Sequence, residues 1–366
     1  MAQKKIDRTL LALVLILICF GFFIFTSAAF GLLARNGAAF SLVVVKQLVI
    51  GVVMGTVGLF VVSGMHYKNW RTWAIPIFCS ALVLSLIIFI PDIGFSSGGA
   101  RRWLSLGMFS FQPSEFLKFG VVLFLAHWFS KSKDSAQSLR YGLLPFLGTI
   151  AVAGALVLKQ PDTGTFLVLF AAALGTYVAA GAPWRYVSGL IIAAIIGIFI
   201  LASFQPYVQQ RITTFLHPEE DALGASYQLR QSLIAIGSGG ITGRGFGQSV
   251  QKFNFLPEAI GDSIFAVAAE EFGLIGSTLL VLLFLGFGLR GMKIASEAPD
   301  SFSRLLATGL VILIVVQSFI NIGAMLGIIP LTGVPLLFVS HGGTALLFAL
   351  LEVGILLNIS RYRVAV

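Results

Sequence analysis

The sequence is short of charge. Only 11% of its 366 residues are Asp, Glu, Lys or Arg, against roughly 25% in soluble domains. A soluble fold of this length cannot be covered with so few charges. Cysteine is nearly absent. Cys19 and Cys79 both sit inside apolar runs, which excludes a disulfide framework and a thiolate metal site and leaves two small buried hydrophobes as the expectation. No stripe of Lys and Arg interleaved with aromatics is present, so a nucleic-acid surface is excluded. No internal repeat or low-complexity tract breaks the chain.

What is abundant is apolar surface. Hydrophobic residues make up 57% of the chain and mean hydropathy is +0.97. Runs of about 20 apolar residues recur from end to end, each long enough to cross a bilayer. The fold class expected is an all-α integral membrane protein, one polytopic domain over residues 1–366. Ten spans are expected: Thr9–Leu33, Leu42–Ser63, Thr72–Ile90, Pro113–Ser130, Tyr141–Leu158, Thr163–Ala180, Trp184–Phe204, Ser263–Leu289, Leu305–Ile329 and Leu337–Ile359. The first follows Lys4, Lys5 and Arg8, but its apolar run exceeds the roughly 7–15 residues of a signal peptide, so it reads as a retained span.

The net charge of +9 orients the bundle, because cytoplasmic segments concentrate Lys and Arg. With the N-terminus inside, the inner segments hold fourteen basic residues, Lys68, Arg71, Lys133, Arg290 and Arg363 among them. The short outer loops hold four, namely Arg35, Arg101, Arg102 and Lys159. Both termini are then cytoplasmic, and the long segment 205–261 between spans 7 and 8 is extracytoplasmic. Basic residues Arg211, Arg230, Arg244 and Lys252 balance Glu219, Glu220, Asp221 and Glu258 there. Ser226–Ile236 has an amphipathic helical pattern that suits the interface. The glycines from Gly237 to Gly247 read as turns, without the order of a phosphate-binding fingerprint.

Charged groups inside apolar runs are costly and ask for a reason. Asp262 stands where the long loop meets the eighth span. Glu270 and Glu271 follow about two turns deeper, with Asp262 and Glu270 on one face about 12 Å apart. Glu115 and Lys118, three apart at the start of the fourth span, suit an ion pair. Lys46, Arg101, Arg102 and Lys118 form a candidate cationic cluster toward the outer leaflet, with snorkelling or structural pairing as the plainer alternative. Asp162 and Asp262 also fit simple helix-start capping. Pro330, Pro335 and paired glycines before the last span suggest a broken or re-entrant segment. Within it His341 titrates near neutral pH if solvated, though a lone His is more often structural. Glu352 has no partner that can be assigned from the sequence.

Four segments together resemble the SEDS proteins, the shape–elongation–division–sporulation family of bacterial cell-wall polymerases. They are Gly99-Ala-Arg-Arg-Trp103 with Phe111-Gln-Pro-Ser-Glu115; Gln160-Pro-Asp-Thr-Gly164; Phe255-Leu-Pro-Glu-Ala259 through Asp262 to Glu270-Glu-Phe-Gly273; and Asn321 to Gly343. Gln248-Ser-Val-Gln-Lys252 and the C-terminal tail resemble the division branch more than the elongation branch. Two positions depart from the family pattern: His341 replaces a common Tyr, and Ile260-Gly261 replace His-Thr.

The resemblance implies polymerisation of lipid II by glycosyl transfer, with undecaprenyl pyrophosphate leaving and Asp262 as general base. Arg101, Arg102, Lys118, Lys46 and Arg211 would then meet the substrate's pyrophosphate. Glu115, Asp162, Glu258, Glu270, Ser340 and His341 would support the site. The expected partners are lipid II, a class B penicillin-binding protein and other division-site membrane proteins. The expected location is the plasma membrane at the division septum. No cofactor is required by the sequence; a divalent cation (Mg2+ or Mn2+) suits a pyrophosphate leaving group, but no dedicated cage is visible. A lipid II flippase and a non-catalytic division-site scaffold are the competing readings.

Overall fold

The computed structural model describes residues 5–35, 37–91, 93–97, 100–106, 109–131, 135–219, 224 and 226–364. Lys4 and Lys133 of the charge count, Glu220 and Asp221 of the long segment, and Gly99 of the first motif lie outside the described residues.

The chain is a helical bundle, and every expected span coincides with a helix. The first is α1 (Arg8–Arg35). The second is built in three joined pieces: α2 (Gly37–Lys46), a π-helical stretch (Gln47–Met54) and α3 (Gly55–Gly64). Next come α4 (Tyr67–Ile87), α5 (Pro113–Phe129), α6 (Leu144–Lys159) and α7 (Thr163–Ala179). Then follow α8 (Trp184–Phe204), α9 (Pro206–Leu216), α10 (Tyr227–Gly239), α11 (Ile264–Ser296), α12 (Ser301–Met325) and α13 (Gly343–Ser360). Eight helical segments are long and apolar enough to cross a membrane, and α7 is a shorter apolar one. The protein is a multi-pass membrane protein.

Local chemistry sets the helix starts. Pro113 opens α5, where its missing N–H costs nothing. Asp162 caps α7 by accepting from the Thr165 backbone N–H at 3.0 Å. Asp300 and Ser303 form a reciprocal capping box on α12. The centre of the bundle is α12 and α13, which are buried over most of their length, whereas α8 is largely exposed. α13 lies close against the second span because Gly51, Gly55 and Gly58 face Leu346, Leu350 and Leu351. A Cβ at those glycines would come within 2.8 Å of leucine side chains, so small residues set the helix separation.

Several expectations need correction. The outer loop before α5 is not open but carries a three-stranded antiparallel sheet, β1 (Gly94–Ser97), β2 (Ala100–Leu106) and β3 (Phe109–Phe111). The long segment carries α9 as well as α10, the latter matching the amphipathic run. The last span starts at Gly343, not Leu337; residues 330–336 are irregular, as the prolines suggest. Cys19 and Cys79 are exposed on the outside of the bundle, where thiols sit as comfortably against lipid as in a core. The eighth span starts at Ile264, one residue past the expected Ser263, so Asp262 lies outside the helix, which is broken at Gly273, where φ is +63°. Asp262 and Glu270 therefore do not share a helix face.

Candidate active site

Asp262 lies in the turn just before α11, and its backbone is held with unusual completeness. Three successive carbonyls of this turn each accept a hydrogen bond from a distant residue. His341 N–H donates to Ile260 O at 2.7 Å. Ser340 Oγ donates to Gly261 O at 2.8 Å, and Asn321 Nδ2 donates to Asp262 O at 2.7 Å. Asn321 also donates to Val334 O at 2.8 Å, and Ser340 Oγ accepts from Leu336 N–H at 2.8 Å. The irregular segment before α13 and the Asp262 turn are thus one unit. Ser340 contributes to it through its hydroxyl and His341 through its backbone N–H, and the His341 ring stacks on Phe25 at 5.9 Å.

The Asp262 carboxyl lines a cavity of about 210 Å³ with Gln210, Arg211 and Thr214 of α9, Gln228 of α10, Met325, Leu331 and Gly333. Arg211 is fixed there by donating to Thr332 O at 2.8 Å and to Thr163 Oγ1 at 3.5 Å, with its guanidinium 5.5 Å from the Tyr207 ring centroid. Gly333 keeps the space between acid and base open. A Cβ there would stand 3.3 Å from Arg211 Nη2 and 3.4 Å from Asp262 Oδ2, and its φ of +73° also favours glycine. Beside them Arg102, reaching from β2, pairs with Asp162 at 3.8 Å. It donates to Gln160 O at 3.2 Å and to Pro161 O. Asp162 is therefore both the cap of α7 and the anchor of Arg102.

These neighbours set the acidity of Asp262, which precedes the membrane-spanning helix. Burial pushes its carboxyl up, Glu258 and Asp162 push it further, and Arg102 and Arg211 pull it down; the balance lies at about 6. A carboxyl so poised exchanges protons close to neutral pH, the condition under which a general base is effective. Glu258 sits at a left-handed φ of +48°, and its carbonyl accepts from Gly261 and Ser263, so it also shapes the turn.

The remaining candidates are not brought to this cluster. Arg101 is exposed on β2. Lys46 lies within electrostatic reach of the His341 ring. Lys118 is closed inside the bundle, 1% exposed, with Nζ 2.9 Å from Glu115 Oε1 and also bonded to Gln317 Oε1. Gln317 in turn donates to Pro335 O at 3.2 Å, and Glu352 lies in electrostatic reach of the pair. Lys118 and Glu115 thus brace the core under the irregular segment, and the expected pyrophosphate contact of Lys118 is corrected by its burial. Glu270 instead accepts from Ser249 Oγ at 2.6 Å and from Val250 N–H at 3.1 Å, which fastens the glycine-rich loop.

Sequence reasoning passed over Tyr207, Gln210, Gln228 and Gly333. The one available signal was the polar face of α9 around Arg211. Among the described residues no three His, Cys, Asp or Glu side chains come together to hold a metal.

A sequence profile described as a cell cycle protein family, covering FtsW, RodA and SpoVE, matches residues 7–365. The chain belongs to this SEDS family. Stage V sporulation protein E of Bacillus subtilis is 40% identical over 309 residues, 84% of each chain. The probable peptidoglycan glycosyltransferase FtsW of Geobacter metallireducens is 36% identical over 98% of this chain and 95% of its own. Among solved structures, one chain comes from a study of how a peptidoglycan synthase complex coordinates polymerization and crosslinking. It superposes with a TM-score of 0.80 at 25% identity, covering 98% of both chains. The rod shape determining protein RodA of Thermus thermophilus superposes with a TM-score of 0.70 at 26% identity, covering 98% of this chain and 97% of its own. The described helices, the sheet and the Asp262 turn lie within the matched region.

Proposed function

We propose that this protein is a peptidoglycan glycosyltransferase that polymerises lipid II, with Asp262 as the general base. The observation that carries this reading is the Asp262 carboxyl, poised at about 6 in the wall of a cavity it shares with Arg211. The FtsW relatives named as probable peptidoglycan glycosyltransferases support it.

In the proposed reaction the GlcNAc 4-hydroxyl of one substrate attacks the MurNAc anomeric carbon of another. Asp262 takes the hydroxyl proton as the new C–O bond forms, and the bond to undecaprenyl pyrophosphate breaks. Positioned proton transfer of this kind contributes about 10²–10⁴-fold. Arg211 and Arg102 meet the negative charge that develops on the leaving pyrophosphate. Both guanidiniums are already oriented by backbone carbonyls, so little reorganisation is needed as the charge appears.

On this reading segment 205–261 faces the outside of a bacterial plasma membrane and both termini face the cytoplasm, with the division septum as the place of action. A class B penicillin-binding protein is the partner, since the polymerization and crosslinking complex contains a chain of this fold. The test is Asp262→Asn, purified with and without that partner and given lipid II. The amide keeps the size of the side chain but accepts no proton. Glycan polymer should be lost while folding and membrane insertion persist; near-normal synthesis by the folded variant refutes the assignment.

A further inference from the structure

The break in α11 is closed by the glycine-rich loop. Arg244 and Gly245 N–H donate to the carbonyls of Glu270 and Glu271 at 3.0 and 2.9 Å. Leu274 and Ile275 N–H donate back to those of Gly240 and Ile241 at 2.9 and 3.1 Å. Below this ladder lies a buried polar group that the reaction does not use. Lys252 Nζ donates to Glu271 Oε1 at 2.7 Å and to Ser27 Oγ at 2.9 Å. Ser27 Oγ donates to the same carboxylate oxygen at 2.6 Å, and Ser249 N–H joins it at 3.2 Å. The side chains of Lys252 and Glu271 are fully buried. Lys252 is also held against α1 by its backbone, since a Cβ on Gly31 would fall 2.3 Å from Lys252 O.

A buried ion pair is a weak source of net stability, so its cost suggests another use. Residues 251–263 run as successive turns with no regular ladder. The Asp262 end is pinned by its three carbonyls, and the other end is pinned at Lys252. Between them the chain lines a cavity of about 360 Å³ with Ala28, Gly31 and Tyr227. Glu270 of α11 also holds this end, accepting from Ser249 Oγ and from the Val250 and Gln251 N–H groups; without the Lys252 ammonium the end stays on α11 but loses its tie to Ser27 of α1, so the run can shift against α1.

We infer that Lys252, locked to Glu271 and Ser27, is a positioning residue that ties α1 and α11 to the turn carrying Asp262 and so sets where its carboxylate stands. This rests on the catalytic reading of Asp262. The distinguishing property is that the clamp acts on geometry and hydration of the carboxyl and not on substrate binding.

The test compares Lys252→Met with the parent protein, both full-length, on lipid II. Methionine keeps the apolar stem and removes the ammonium. The turnover number should fall about 10–100-fold with KM nearly unchanged, the cost of a misplacement of about 1 Å. The acid limb of the pH–rate profile should move below its parent position, because a loosened carboxyl is better hydrated. Deuterium uptake should rise in 252–263 and stay level in 301–325. Unchanged turnover per folded molecule, or a rise in exchange through α12 as well, overturns the inference in favour of a plain core pair. Should Lys252→Met fail to fold, Ser27→Ala keeps the ion pair and removes one tie. It should give the same pattern at smaller amplitude, and an unchanged Ser27→Ala counts against the clamp. If Asp262→Asn proves active, the catalytic reading fails, and deuterium uptake still decides the clamp.

Discussion

Replacing Arg211 with Gln should move the acid limb of kcat/KM upward. Arg211 Nη2 and Asp262 Oδ2 stand 3.3 and 3.4 Å from the point a Gly333 Cβ would occupy, so they are no more than about 7 Å apart. At that separation and an effective dielectric of about 20, their attraction is about 2–3 kcal/mol. Arg102 remains in the variant, and water in the open cavity screens the pair, so we retain about half. That corresponds to roughly one pKa unit. The sign follows from the charge removed. Arg211 favours the ionised carboxylate, so its loss raises the pKa from about 6 toward 7, and the base is protonated over a wider range of pH. At pH 6 the ionised fraction drops from about a half to about a tenth, a fivefold loss from this effect alone. At pH 8 that component vanishes, and any deficit left there measures the lost contact with pyrophosphate. The assay is polymerisation of lipid II at subsaturating concentration from pH 5 to 8.5. A limb that stays in place or moves down would show that Arg211 does not act on Asp262, and the electrostatic account of the site would fall with it.

Gly333→Ala should lower kcat/KM at least tenfold, since the methyl enters between Arg211 and Asp262 at a φ of +73°; parent-like kinetics would show that this spacing is unimportant. Lys118→Met should destabilise the protein by about 3–5 kcal/mol by stranding the Glu115 carboxylate in the core. The check is thermal unfolding in detergent, and an unshifted midpoint would mean that Glu115 is not held as described. Sidedness is read with single cysteines in a background lacking Cys19 and Cys79. Ile241→Cys, exposed on the glycine-rich loop, should react with an impermeant thiol reagent outside intact spheroplasts, and Ser296→Cys should not. Ser249 is buried under Glu270 and would be silent either way. The reverse labelling pattern would place Asp262 on the cytoplasmic side and defeat polymerisation at the outer leaflet.

The helices were legible because apolar runs of bilayer length allow little else. The Glu115–Lys118 pair was legible for a similar reason: three-residue spacing on a helix forces proximity. The sheet was not. Its strands are short, and Arg101-Arg102 masks any period-two signal, so pairing across Phe95↔Trp103 and Leu104↔Phe111 decides the matter. The place of Asp262 on a face of α11 was misread because Asp before an apolar run is a normal helix-start signal. Tertiary bonds to Ile260, Gly261 and Asp262 hold those residues in turns and keep the carboxyl from capping.

That override bears on how the site works. A capping Asp would spend its carboxylate on backbone N–H groups, which occupies its lone pairs. The Asp162 carboxyl is spent that way, on Thr165 and Arg102. Asp262 is excluded from that fate by distant residues that occupy the turn's carbonyls and leave its side chain toward the cavity. Two aspartates with the same local signature thus receive opposite tasks. The difference is carried by Asn321, Ser340 and His341, which lie 59 or more positions downstream. No window around either aspartate contains that information, and a substitution at Asn321 should convert the second aspartate toward the behaviour of the first.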